Sequence, residues 1–441
     1  MSATAPATAT NAPSQPARRR KRLEASLLMD KGYACRRPDR RRLDGGGQGA
    51  QVPASSLESL VLPVRVAGYS PALLDELCAA GEVLWRGHGA LPGGDGWVSL
   101  HLADSAHLTM PAPDDTTISS PVHQAVVDAL AGGGAFFFRR LSDVAESTDD
   151  QTLVAALWDL VWSGHVSNDT LAPLRTLVAG GGAHKARRPA PRGRYGRGRP
   201  AMPSRTGPPV AAGRWSLLPE VETDPTRRAV SLAEVLLDRH GVVIRGAVVA
   251  ERAPGGFAAV YRVLATFEET GRCRRGYFVE GLGAAQFALP GAVDRLRAVG
   301  AALERSDEDP RSSAPESPRA LVLAATDPAN PFGAAVRWPS RGAGEDAGHK
   351  PGRKAGALVV LVDGRLVLYV ERGGRTLLTW ADVPHLLQPA VDALSLAVRE
   401  GQLGRLTVER ADGAGVLDSP LGRALEEAGF HATPRGLRLR R

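Results

Sequence analysis

Apolar and polar positions follow two rhythms along this chain, and the order of the rhythms repeats. Helical spacing over 57–62 and 72–80 gives way to two strand-like runs, 83–85 and 97–102, joined by a Gly-rich loop over 87–96. Ser70 is placed as an N-cap, with Pro71 at the first helical position. The second occurrence predicts helices over 121–130, 141–146 and 149–162, an apolar step at 135–138, and strands at 165–167 and 215–218. The third predicts helices over 227–240, 247–251 and 257–269, a short step at Val242-Val243, and a hairpin of 274–280 with 286–289. Helices closed by a hairpin are the grammar of a winged helix.

The C-terminal third has a different pattern. Apolar runs over 357–362 and 366–370 flank Asp363-Gly364, a strong signal for a tight hairpin. A third strand at 376–380, helices over 389–399 and 420–428 and a strand at 406–409 complete the module. The expected fold class is therefore α+β, with tandem winged-helix domains followed by a β-rich α+β module. The expected boundaries are a disordered basic tail to residue 50, a partial winged helix over 51–118, and a winged helix over 119–219 with a basic insertion at 183–214. A third winged helix covers 220–303, a Ser/Asp/Glu/Pro-rich linker 304–318, and the C-terminal module 319–441.

Charge sharpens this picture more than composition does. The net charge is +8, yet basic residues outnumber acidic ones eleven to four over 17–44 and nine to none over 184–214. The intervening modules are mildly acidic. Basic runs attract polyanions by counterion release, which is strong, salt-sensitive and indifferent to sequence. Arg192, Arg194, Tyr195, Arg197 and Arg199, interleaved with Gly and Pro, suit a single strand; a solvated insertion is the alternative. Three scattered cysteines, Cys35, Cys78 and Cys273, give neither a disulfide framework nor a thiolate metal site, and the histidines lack ligand spacing. No apolar run is long enough to cross a bilayer, so a soluble, cytoplasmic protein is expected.

Candidate chemistry is sparse. No GxxxxGK[ST] string is present to cradle phosphate, so ATP hydrolysis is not expected. Gly87 to Gly94 leads into a strand rather than a helix, against a dinucleotide loop, and His88 reads as an exposed loop histidine. Asp149, Asp150 and Asp159 make the second unit's last helix a poor phosphate contact, and its leucines and tryptophans read as packing. The third unit is the better contact surface, with Arg262 on its helix and Arg272, Arg274, Arg275, Tyr277 and Phe278 in its wing. Buried packing of Tyr277 and Phe278 is the competing reading. Asp327, in the turn Thr326-Asp327-Pro328-Ala329-Asn330-Pro331, is the carboxylate to test for catalysis, beside its plain reading as a turn former.

Several unusual strings occur in order: Tyr69 to Gly93, Leu157 to Gly164 with Asn168 to Leu174, Arg275 to Gly283 with Gln286 to Gly291, and Ala325 to Pro331. Together they resemble the C-terminal region of Lhr, the large helicase-related family, in an actinobacterial form, from about residue 52 to the end. The resemblance implies tandem winged helices and a β-rich module attached to an ATP- and Mg-dependent DNA helicase motor acting on single strands and RNA:DNA hybrids in DNA repair. It also implies kinship with winged-helix DNA glycosylases, some associated with uracil removal, although no glycosylase residue maps onto a matching string. The motor and the first helix of the first winged unit are missing from the sequence, and a truncated, frame-shifted or mis-started gene is the expectation. Three functions stay open: a DNA-binding region with no cofactor of its own, a uracil or damaged-base glycosylase using Asp327, and a scaffold. The expected partners are DNA and either a second copy of the chain or a separate motor polypeptide. A half unit alone would expose an apolar face.

Overall fold

The computed structural model describes residues 47–66, 68–180, 207–308, 319–340, 349–381 and 383–440. The basic tail and the core of the Arg/Gly insertion, with Arg192, Arg194, Tyr195, Arg197 and Arg199, lie outside the described residues. Strand β1 (Val52–Pro53) leads into a helical segment, α1, over 54–65, and α2 (Pro71–Ala79) precedes the hairpin β2 (Val83–Leu91) and β3 (Asp95–Leu102). Ser70 sits extended ahead of Pro71, but its side chain makes no capping hydrogen bond. The hairpin departs from its expected form, because β2 runs on through the glycines to Leu91. The reason is close packing. A Cβ on Gly87 would lie 2.4 Å from the Val161 carbonyl oxygen, and one on Gly96 2.3 Å from the Trp162 ring. These glycines let a neighbouring helix approach rather than form a loop.

That helix belongs to the second unit. After α3 (Ala106–Thr109) come α4 (Pro121–Ala131), β4 (Phe136–Phe137), α5 (Phe138–Val144) and α6 (Asp150–Trp162), which Asp149 caps through the amides of Gln151 and Thr152. Strands β5 (Val166–Asn168) and β6 (Arg214–Leu217) close the unit in the order β4-β6-β5. Between them α7 (Ala172–Val178) is a helix that the sequence pattern did not suggest. The first and second units share one hydrophobic core, from Val52 to Trp215. Trp85 is wholly buried there, its Nε1 donating to the Asn168 carbonyl (2.9 Å), while Ser167 Oγ donates to the Trp85 carbonyl (2.7 Å). The apolar face expected to stay exposed on a half unit is covered by its neighbour.

The third unit holds a separate, smaller core around Leu236, Val260, Leu264 and Phe287. It comprises α8 (Pro225–His240), β7 (Val242–Val243), α9 (Arg245–Ala250), α10 (Gly256–Glu269), β8 (Arg274–Gly276) and β9 (Gln286–Ala288), with its strands in the order β7-β9-β8. α11 (Pro290–Glu308) then continues into the segment read as linker. The C-terminal module pairs β10 (Ala320–Ala324), β11 (Leu358–Val362), β12 (Arg365–Val370) and β13 (Thr376–Thr379) antiparallel in sequence order. Asp363 and Gly364 both take positive φ, as the tight turn requires. The short strands β15 (Arg410–Ala411) and β16 (Ala414–Gly415) extend this sheet, helices α12 (Pro384–Arg399) and α13 (Pro420–Glu427) share a core with it, and β14 (Leu406–Val408), β17 (His431–Thr433) and β18 (Gly436–Leu439) form a small second sheet. Leu60 of α1 is buried in the same core, so the first helical segment docks on the last module.

Candidate nucleic-acid interface and the adjoining pocket

The wing of the third unit is short in ladder and long in loop. Past Gly276 the chain leaves β8, and one buried side chain, Gln286, organises the loop between the two strands. Its Oε1 accepts from the Phe278 and Val279 amides (3.0 and 2.9 Å), and its Nε2 donates to the Val279 and Gly283 carbonyls (2.7 and 2.8 Å). Four hydrogen bonds through one side chain hold this loop. On it Tyr277 stands 72 % exposed, and Arg262 and Arg274 are exposed nearby in the same unit.

The other wing candidates are committed elsewhere. Arg272 pairs with Glu234 and lies over the Phe267 ring at 4.0 Å. Arg275 meets Glu268 at 3.2 Å and donates to the Tyr261 hydroxyl at 2.9 Å. Phe278 is half-buried and folds back over Gly276. Tyr277 and Arg274 in the wing, and Arg262 on α10, are the exposed candidates outside these pairings.

Asp327 has no exposed surface. Its carboxylate receives both ends of the Arg65 guanidinium (2.6 and 3.0 Å) and the Ala329 amide (2.8 Å). The turn carboxylate therefore joins α1 to the C-terminal module as a buried ion pair, and no face of it is open to a substrate. Arg353 reinforces the same turn from the other side, donating to the carbonyls of Asn330, Thr326 and Asp327 at 2.7 to 3.1 Å. Burial lowers the Arg353 pKa, against the pull of Glu251 and Asp327.

Beside that turn is a cavity of about 400 Å³ where three parts of the chain meet. The hairpin of the first unit supplies Trp97, the third unit Arg239, His240 and Glu251, and the C-terminal module Thr326 and Arg353. Glu251 is its one acidic lining residue and keeps 16 % of its side chain exposed. One oxygen accepts from Arg239 and the other faces His240 Nε2 at 3.1 Å. Burial works to raise its pKa, but Arg239 and His240 prevail and bring it down to about 2. Sequence reading missed this site, because no local string signals a carboxylate assembled with residues from three units.

A polar chain runs from the pocket back into the first hairpin. Arg239 donates to the Gln48 carbonyl, Gln48 Nε2 to Thr109 Oγ1 (3.0 Å), and His101, Ser99 and His88 continue it at 2.6 to 2.8 Å. His88 is thus a half-buried member of a network rather than an exposed loop residue. Burial, with Arg86 and His101 adding to it, pushes its pKa down to about 2; burial, Arg86 and Arg239 push that of His101 down to about 3. Among the described residues no cluster of metal-ligating side chains occurs, and no helix is long and apolar enough to cross a membrane.

Comparison with known proteins places this geometry. Residues 48–103 and 222–308 each match a family model described as a winged-helix domain of large helicase-related protein. The "Lhr helicase/ probable uracil glycosylase" of Mycolicibacterium smegmatis is 48 % identical over 408 residues, covering 89 % of this chain and 26 % of that protein. The "Lhr helicase/uracil glycosylase" of Escherichia coli K12 is 40 % identical over 403 residues, covering 88 % and 25 %. The chain thus spans about a quarter of the length of these relatives. Among solved structures, the Streptomyces sahachiroi DNA glycosylase AlkZ aligns over 90 % of this chain and 99 % of its own, at 13 % identity and a TM-score of 0.46. The chain belongs to the large helicase-related, or Lhr, family and corresponds to its C-terminal region.

Proposed function

We propose that this chain is the nucleic-acid-binding region of an Lhr-like ATP-dependent DNA helicase that serves DNA repair, and that it binds DNA without hydrolysing ATP itself. One observation carries the reading: the third unit presents Tyr277, 72 % exposed, on a loop pinned by Gln286, three residues past exposed Arg274 on β8. A cation beside an aromatic ring gives a phosphate contact and a stacking surface within one nucleotide step, and single strands are held in this way. The basic segments add sequence-independent attraction. A single strand or an RNA:DNA hybrid is the expected partner, and ATP and Mg are left to a motor.

Fluorescence anisotropy with labelled single-stranded, duplex and hybrid oligonucleotides across a salt series tests this. Binding that weakens steeply with salt and falls in Arg274→Glu and Tyr277→Ala supports the reading. Absence of affinity at low salt sinks it.

The pocket favours a second reading, excision of a base, with Glu251 rather than the enclosed Asp327 as the carboxylate beside the substrate. Incubation of a uracil-containing strand followed by alkaline cleavage decides it. Scission that Glu251→Gln removes supports excision, and an intact strand with the unmodified protein rejects it.

A further inference from the structure

We propose that the outward face of the small sheet β14-β18-β17 is a second nucleic-acid contact, which holds backbone phosphates through Arg405, Arg438 and Arg440. The inference rests on the nucleic-acid-binding reading above and adds a separate surface, on the last module, with its own signature in salt.

Strand alternation builds the face. Leu406, Val408, Leu437 and Leu439 are buried in the core of the module, so their alternates point outward. Register sets Thr407, Arg438 and His431 in one row across the three strands. One step beyond the Leu406–Leu439 pair, Arg405 stands opposite Arg440. Residues 435–441 hold four arginines and no carboxylate.

The cost of this arrangement is the first argument. Residues two apart on a strand stand about 7 Å from one another, inside the Debye length of about 10 Å at 0.1 M salt, so the three guanidinium groups repel. Like charges facing each other across strands destabilise a sheet. The ion pairs near this end of the chain, Arg375 with Glu409 and His349 with Glu371, include none of the three. Arg438 Nε is buried without a hydrogen-bond partner, and burial, with Arg405 and Arg440 adding to it, lowers the Arg438 pKa. Edge protection does not account for the charge either, because Arg438 sits on the central strand. A face that repels itself is relieved by an anion from outside, and such local conflicts belong to functional sites.

The nature of the anion is the second. An arginine fork meets phosphate oxygens two at a time. Arg, Thr and His make up the face with no apolar side chain among them, whereas protein–protein interfaces are centred on apolar and aromatic anchors. With no Tyr, Trp or Phe to stack on a base, it can hold a backbone and stay indifferent to sequence.

The test measures binding of the whole chain to a duplex and a single strand of equal length across a salt series. In the triple variant Arg405→Gln, Arg438→Gln, Arg440→Gln the slope of log duplex affinity against log salt should be shallower by about 2.7. Raising salt from about 50 to about 200 mM should then weaken the unmodified protein roughly 40-fold more than the variant. The variant's thermal midpoint should stay level or rise as the repulsion is relieved, and the matching triple lysine variant should keep the slope. Should the triple variant fail to fold, Arg405→Gln with Arg440→Gln serves, since both side chains are exposed, with a slope change of about 1.8. An unchanged slope in the folded variant overturns the inference. So does a loss confined to poly-glutamate binding, which assigns the face to an acidic protein. A shallower slope in the arginine variant with no loss of single-strand affinity in Tyr277→Ala supports this face and removes the wing. The opposite pair of results keeps the wing and removes the face, and absence of all binding at low salt removes both.

Discussion

Two hairpins built by the same grammar do opposite things in this molecule. In the first unit the ladder is long, its glycines are overlain by α6 and its tryptophan, Trp85, is sealed in a core shared with the next unit. In the third unit the ladder is three residues long, and its aromatic residue, Tyr277, faces solvent on a loop that Gln286 pins. A wing that buries its aromatic side chain joins domains; a wing that exposes it is available to a ligand. Sequence order does not separate the two. The difference lies in what packs on the hairpin.

The comparison can be broken most severely at the buried end. Trp85→Ala should lower stability by about 3–5 kcal/mol in chemical denaturation, since it opens a cavity where little can collapse. A loss below ~1 kcal/mol would show that the first hairpin is not integrated as described. Arg65→Ala should cost a similar ~3–5 kcal/mol by leaving Asp327 charged and enclosed, and the double change with Asp327→Ala should recover part of it.

Gln286→Ala should be intermediate, at about 1–3 kcal/mol from backbone groups left unpaired. It should also weaken nucleic-acid binding, because Tyr277 loses its platform. Tyr277→Ala should leave stability within ~0.5 kcal/mol and reduce single-strand affinity by about 1–3 kcal/mol. The smallest expected change is in Arg274→Gln, which should lessen the slope of log affinity against log salt by about one.

Acid separates the regions too. His88 and His101 fold with pKa values of about 2 and 3, below the ordinary 6.5, so the unfolded chain binds their protons first. Their contribution is fully present above pH 6.5 and is lost as pH falls toward 3. Glu251, down from 4.5 to about 2, adds a loss confined to the range below pH 4.5. His88→Gln with His101→Gln should flatten the stability profile between pH 6.5 and 4.5 and make it shallower from there to about pH 3, where the Glu251 loss remains, as pH-dependent thermal melts would record.

Much of the fold was legible in the sequence because its signals are local. Helix periodicity and the Asp363-Gly364 turn each act within a few residues. The shared core of the first two units was not legible, since the purpose of Gly87 depends on a carbonyl 74 positions later in the chain, at Val161. Asp327 stood out for a sound reason, a polar turn after a strand. Its partner, Arg65, lies 262 residues away, and proximity on that scale leaves no mark on the string. Glu251 was invisible for the same reason, at the end of a short helix whose neighbours come from two other units.

The Arg65–Asp327 pair has one more consequence. Together with Leu60 in the last module's core, it fastens the beginning of the described chain to its final third, so the row of modules closes on itself as a clasp closes a bracelet. Pulled or heated, such a closed row should give way as a cooperative whole rather than peel from one end.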